Sequence, residues 1–264
     1  MRKDLAILLD IGNTSTKIGL CDRKRVVGET SVPTRGKGSA NWGAAVDGLL
    51  ARAGVGMGRV GSVVVSSVVP ERDLLAGELA GWLQAVPLFV PGDLRVDIEN
   101  RYERPEEVGA DRLVGAFAVR RLYPEAERIV VVDFGTATTF DCVVGGAYLG
   151  GLICPGVLSS TRSLSEETAK LPKATLEIDT AGLRLGRSTL DSLNQGLVYG
   201  FAAMVEGLVV RISVVLGGEA KVIATGGFAE RIASVCPVID EVRGDLLMQG
   251  LRLAWVDGKG RENV

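Results

Sequence analysis

The chain repeats one short pattern about half its length apart, and that repeat leaves few folds open. Ile7-Leu8-Leu9-Asp10-Ile11-Gly12-Asn13-Thr14-Ser15-Thr16-Lys17 lines up with Val130-Val131-Val132-Asp133-Phe134-Gly135-Thr136-Ala137-Thr138-Thr139-Phe140. In both copies an apolar run ends in Asp-x-Gly, passes through small hydroxyl or amide residues and enters a second run suited to a strand. The expectation is an α/β fold of two duplicated lobes around a central cleft, each opening with a strand, a tight glycine turn and a returning strand. A length of 264 residues accommodates two such lobes, 1–122 and 123–264.

Between these anchors the period of the apolar residues gives the remaining elements. Gly61 to Val69 reads as a strand, with helical patterns near Asn41 to Arg52, Arg72 to Gln84 and Ala110 to Leu122. In the second half Ala147 to Ile153 continues the hairpin, Ser163 to Lys170 is helical, and Thr189 to Leu216 is a long helix interrupted by glycines. Ala220 to Gly227 reads as a strand entering a Gly-Gly turn with a short helix after Phe228, a last helix spans Leu246 to Trp255, and the polar tail from Asp257 is expected to fray.

Composition narrows the chemistry. The sequence holds no histidine, which removes Ser-His-Asp and Cys-His pairs, histidine-ligated zinc and imidazole bases together. Acid–base work falls to carboxylate, lysine or tyrosine. A net charge of −2 without a basic tract gives no general attraction to nucleic acid or an anionic membrane, so a small-molecule partner is expected. The apolar run after Met1-Arg2-Lys3-Asp4 stops at Asp10, too short for a secretion signal. Leu197 to Leu216 approaches membrane-spanning length, but Glu206, Arg211 and several glycines interrupt it, so a buried helix is expected. Cys21, Cys142, Cys154 and Cys236 lie far apart without metal or disulfide spacing, as reduced thiols of a cytoplasmic protein would.

A phosphate cradle needs backbone N–H groups at close range, hydroxyl donors and a carboxylate for the neutralising metal, and both hairpins supply all three. One Asp-Gly turn alone would be an ordinary hairpin; two matching copies point to function. No G-x-x-x-x-G-K-[ST] occurs, and Gly56-Met57-Gly58-Arg59-Val60-Gly61 precedes a strand instead of leading from strand to helix, so it reads as a flexible loop. In Gly109-Ala110-Asp111-Arg112, Asp111 is either the cap of the following helix or the base that accepts a substrate hydroxyl proton. The helix N-terminus would keep that carboxylate ionised, and Arg112 could hold a carboxylate or phosphate.

Asp10-Ile-Gly-Asn-Thr, Gly109-Ala-Asp-Arg, Asp133-Phe-Gly-Thr-Ala-Thr-Thr, Gly151-Leu-Ile-Cys-Pro-Gly and Gly186-Arg-Ser-Thr together resemble the ordered motif set of type III pantothenate kinases, from the first strand to Gly250-Leu-Arg-Leu. The resemblance implies duplicated ribonuclease-H-like lobes of the actin-like ATPase kind and ATP-dependent phosphorylation of pantothenate at the start of coenzyme A synthesis. It implies that Asp10, Ile11, Gly12, Asn13, Thr14, Ser15, Thr16 and Lys17 bind the ATP phosphates, with Mg²⁺ at Asp10, and that Thr136 contacts the nucleotide. Gly109, Ala110, Asp111 and Arg112 would bind pantothenate together with Tyr102 and Thr189, Asp111 accepting the proton. Asp133 would hold a monovalent cation, potassium or ammonium, and the protein would be a homodimer.

Taken by themselves, Tyr102 reads as a half-buried loop tyrosine and Thr189 as a helix cap. Gly196, Gly200, Ala203 and Gly207 share one helix face, which fits either internal packing or a dimer seam. Thr225-Gly226-Gly227 fits a nucleotide-side turn or a purely structural one. The chain departs from the family pattern at Leu193-Asn194-Gln195-Gly196 and Asp245-Leu-Leu-Met-Gln-Gly, which bears on fine substrate contacts. Two rival functions share these motifs: a kinase of the same fold with another acceptor, and a nucleotide-binding switch without catalysis.

Overall fold

β1 (Leu5–Ile11) is buried at all seven positions, as an apolar strand must be when helices cover both faces of its sheet. It is the central strand of one of two units into which the chain divides: Met1–Leu122 with Asp245–Val264, and Tyr123–Gly244. The computed structural model describes residues 3–36, 41–166, 172–178 and 182–261.

In the first unit β1 pairs antiparallel with β2 (Ser15–Cys21), which pairs antiparallel with β3 (Val26–Pro33). After α1 (Trp42–Ala53), β4 (Val60–Ser67) returns parallel to β1, and after α2 (Asp73–Trp82), β5 (Val86–Phe89) adds parallel to β4. The order is β3-β2-β1-β4-β5. Side chains of Ile7, Leu9, Ile11, Val63 and Val65 point to the α1/α2 layer, and those of Ala6, Leu8 and Val64 to the opposite face. The short β6 (Glu99–Asn100) and α3 (Ala110–Leu122) follow.

The second unit repeats the plan. β7 (Arg128–Phe134), β8 (Ala137–Val144) and β9 (Ala147–Pro155) form the meander; after α4 (Val157–Glu166) and α5 (Thr189–Leu216), β10 (Lys221–Gly226) runs parallel to β7. α6 (Ala229–Ala233) and the two-residue β11 (Glu241–Val242) complete it, in the order β9-β8-β7-β10-β11. One strand order, twice, is the duplication that the Asp-x-Gly repeat announces.

The last helix departs from expectation. α7 (Leu246–Arg261) belongs with the first unit and not with a lobe 123–264, and it continues past Asp257, where fraying was expected. Leu247, Met248, Leu251, Ala254 and Trp255 recur at helical spacing and supply the apolar cover that the face of Ala6, Leu8 and Val64 requires. Trp255 Nε1 donates to Ser62 Oγ at 3.1 Å. The crossing with α3 is tight: a Cβ at Gly250 would lie 2.7 Å from the Val114 carbonyl oxygen.

Other elements shift less. α4 starts at Val157 instead of Ser163, and residues 167–170 of the expected helix lie outside the described residues. Residues 57–59 of the glycine string form a single 3₁₀ turn feeding β4. α5 is continuous through its glycines, from the Ser188 cap to Gly217 in the left-handed conformation at φ 75°. By length and composition α5 could cross a membrane, yet it packs as a half-covered helix. Leu197, Val198, Phe201, Val205, Val209 and Ile212 are buried, while Gly196, Gly200, Ala203, Val210 and Val214 are exposed. No disulfide joins the four cysteines, and burial pushes the thiols of Cys21 and Cys236 up to about 12 and about 11.

Candidate active site

Asp10 is the penultimate residue of β1, in register with Lys17 on β2 and Ser66 on β4. Neighbours in register share a face, so these three polar side chains form a row at one end of the sheet face that α3 and α7 cover. Asp10 is 8% exposed, and Lys17 is half-buried. The turn between them closes by Gly12 N donating to Ser15 O at 3.2 Å and leaves Asn13, Thr14 and Ser15 exposed. The end of β3 pins it from behind. Thr34 N donates to Thr14 O, Thr34 Oγ1 donates to Gly12 O at 2.7 Å, and Thr16 Oγ1 therefore donates to Thr34 Oγ1 at 2.9 Å. Ile11 and Thr16 send their side chains into the core, so a phosphate at this turn would meet Gly12 to Ser15, Asp10 and Lys17.

The same strand ends receive the Gly109–Arg112 motif. Val68, just past β4, donates its N–H to Ile11 O at 3.1 Å and packs on Gly109, where a Cβ would come within 3.2 Å of Val68 Cγ1 and would strike the Asp111 carboxylate. Glycine at 109 thus lets the first turn of α3 settle at the C-terminal ends of β1 and β4. Asp111 is the second residue of α3, inside the first turn and not its cap, and its Oδ1 accepts from Arg112 N at 2.8 Å. Burial pushes the Asp111 carboxyl above the usual carboxylate range, against the opposing pull of the Arg112 N–H and guanidinium. The helix terminus therefore does not win, contrary to the expectation from sequence, and the group becomes a stronger base. Ala110 and Arg112 flank it, both half-buried. Tyr102 sits half-buried in the preceding loop, its N–H donating to Asn100 Oδ1 at 3.0 Å while Asn100 Nδ2 donates to Pro105 O.

In the second unit Asp133 takes the place of Asp10, in register with Thr139 and Thr225. Its turn closes by Gly135 N to Ala137 O at 3.1 Å and is one residue shorter. The residue-for-residue alignment of the two motifs therefore slips after the glycine: Thr138 corresponds to Thr16, and Thr139 to Lys17. The second copy has no lysine at that place. The Asp133 carboxylate lies directly against Gly226, whose φ of 92° and lack of a Cβ admit it. Thr136 is exposed at the turn, and its carbonyl accepts from Ser159 Oγ at 3.2 Å with Gly156 pressed against it. The Pro155-Gly156 motif and α4 thus buttress the second hairpin.

Thr189 is exposed at the first position of α5; the cap is Ser188, whose hydroxyl accepts from Asp191 N at 3.2 Å. The departure at Asn194 has a structural use. Its side chain accepts from the N–H groups of Thr175 and Leu176 and donates to Thr175 Oγ1, tying down residues 172–178.

Among the described residues no group of three or more His, Cys, Asp or Glu side chains could cage a metal. Mg²⁺ fits nonetheless, because it is ordinarily held by one or two carboxylates with substrate phosphates and waters, and Asp10 offers one beside the turn. Asp133 offers a monovalent cation a carboxylate beside a glycine turn. Ser66 and Ser159 were not singled out from the sequence, since their place depends on how β1, β4 and α4 come together in the fold and not on spacing along the chain.

The profile of the family "Type III pantothenate kinase" matches residues 6–211. A type III pantothenate kinase of Nitratidesulfovibrio vulgaris (strain DSM 19637 / Miyazaki F) is 52% identical over 257 residues, 97% of this chain and 98% of the relative. One from Dehalococcoides mccartyi (strain ATCC BAA-2266 / KCTC 15142 / 195) is 38% identical, over 94% of this chain and 96% of the relative. Among solved structures, the activator of the 2-hydroxyisocaproyl-CoA dehydratase from Clostridium difficile with bound ADPNP superimposes at a TM-score of 0.60 and 14% identity, covering 98% of this chain and 97% of that one. A Campylobacter jejuni protein described as a Baf family transcriptional activator superimposes at 0.58 and 17% identity, over 98% and 100%. At such identities these two show the fold alone, an actin-like α/β arrangement.

Proposed function

The chain belongs to the type III pantothenate kinase family, its reaction is the phosphorylation of pantothenate by ATP in coenzyme A synthesis, and from that premise we propose how its residues divide the work. The observation that carries the assignment is the seating of Gly109 against Val68, with the Asp111 carboxylate beside Gly109, at the strand ends where Asp10 and its glycine turn lie.

Asp111 accepts the proton of the pantothenate primary hydroxyl as that oxygen bonds to the γ-phosphorus; the bond from phosphorus to the β,γ-bridging oxygen breaks, and ADP leaves. Its raised pKa suits a proton acceptor. The transition state is loose, so holding the reactants and neutralising charge outweigh the proton transfer. The turn amides from Gly12 to Ser15 and the Lys17 ammonium hold the phosphates. Gly109, Ala110, Arg112, Tyr102 and Thr189 bind pantothenate, Arg112 pairing with its carboxylate, and Thr136 contacts the nucleotide. Asp10 would hold Mg²⁺, which would neutralise phosphate charge, and Asp133 would hold a potassium or ammonium ion, which would add fixed positive charge. The exposed small-residue face of α5, where a Cβ at Gly196 or Gly200 would meet nothing within 4 Å, supports a homodimer seam over internal packing.

Mass spectrometry of the protein incubated with ATP, Mg²⁺, potassium and pantothenate, beside reactions with sodium in place of potassium, tests the scheme. Phosphopantothenate that depends on potassium is expected. Product formed equally well in sodium would remove the cation from Asp133.

A further inference from the structure

Ser66 is 1% exposed, yet its hydroxyl makes no hydrogen bond to any of the described residues. Buried hydroxyls almost always find partners, so one that lacks them needs a reason. Ser62, four residues earlier on the same face, has its partner in the Trp255 indole. Ser66 instead stands at the C-terminal end of a parallel strand, where open α/β sheets bind ligands, and in register with Asp10 on the neighbouring strand. The second unit repeats the pairing: Thr225, 3% exposed, lies in register with Asp133. Twice, then, the fold sets a buried hydroxyl residue beside the hairpin aspartate.

We infer that Ser66 is a positioning residue that acts through Asp10: its hydroxyl donates to the Asp10 carboxylate when the Mg²⁺–nucleotide complex is bound, fixing the orientation of the oxygen that faces the ligand. The inference rests on the assignment of Asp10 to the nucleotide phosphates. It explains why the hydroxyl is kept at a position where alanine would fill the same core, and why it has no partner among the described residues. A hydroxyl that serves only the bound state stabilises nothing without ligand, which separates it from an ordinary buried serine.

The test compares wild type, Ser66→Ala and Asp10→Asn by thermal unfolding without ligand and by calorimetric titration with Mg²⁺ and a non-hydrolysable ATP analogue. For Ser66→Ala, an unfolding temperature equal to or above wild type is expected, with affinity for the Mg²⁺–analogue complex about tenfold weaker, the worth of one hydrogen bond to a charged group. Asp10→Asn should weaken binding further. Wild-type affinity in Ser66→Ala alone overturns the role of Ser66 and leaves that of Asp10 standing, as does a lowered unfolding temperature, which would give the hydroxyl a structural partner. Wild-type affinity in Asp10→Asn overturns both.

Discussion

Asp111 is costly where it stands. Its pKa in the folded protein is raised by burial, so the folded state holds the proton more tightly than the unfolded chain, whose carboxyl titrates near 3.9. The residue's stabilising contribution is complete below that pH and is lost as the pH rises through the raised value. At neutral pH the ionised carboxylate therefore destabilises the fold, and Asp111→Asn should unfold at a higher temperature than wild type. That gap should close as the pH is lowered towards 4; thermal unfolding between pH 4 and 8 would show it, and a gap indifferent to pH would contradict the burial argument. The same variant should lose about 10²-fold or more in kcat, the usual worth of a positioned base. Stability gained with activity lost is the signature of a group kept for chemistry.

Helices discriminate sharply between glycines that look alike in the sequence. Gly77 in α2 has open space where a Cβ would go, so Gly77→Ala should stabilise by about 0.5–1 kcal/mol through helix propensity. A Cβ at Gly250 in α7 would meet Val114 and Ala118 of α3, two of the contacts at 2.7 Å, one of them to backbone that cannot rotate away. Gly250→Ala should reverse the sign and destabilise by about 1–3 kcal/mol, the usual cost of overpacking. Urea denaturation of the two variants decides it. This difference also marks what sequence could and could not give. The hairpins at Asp10 and Asp133 and the helix Ala110–Leu122 were legible, because turn chemistry and apolar period are local. β3 and β5 were not: β3 alternates between half-buried and exposed residues at a sheet edge, and β5 is four residues with a proline among them. The one-residue difference between the turns was invisible because both close on a glycine N–H. Ser66 was invisible because β1 and β4 are brought into register only by folding.

At the scale of the whole molecule, the exposed face of α5 bears on assembly. Val210 is 61% exposed and Val214 78%, in line with the glycines and alanine of the same stripe. If this face is the seam between two copies, Gly200→Arg should turn a dimer into a monomer in sedimentation equilibrium while leaving the far-UV spectrum unchanged. A variant that stays dimeric would place the seam elsewhere. The path of the chain carries a further consequence. The second unit is an uninterrupted stretch, Tyr123–Gly244, whereas the first lacks α7 until everything between has been made. Domains ordinarily fold in the order of their synthesis. Here the order is inverted: on the ribosome the later unit has all its parts first, and the earlier one must wait, its Ala6, Leu8 and Val64 face uncovered, for Trp255 to arrive.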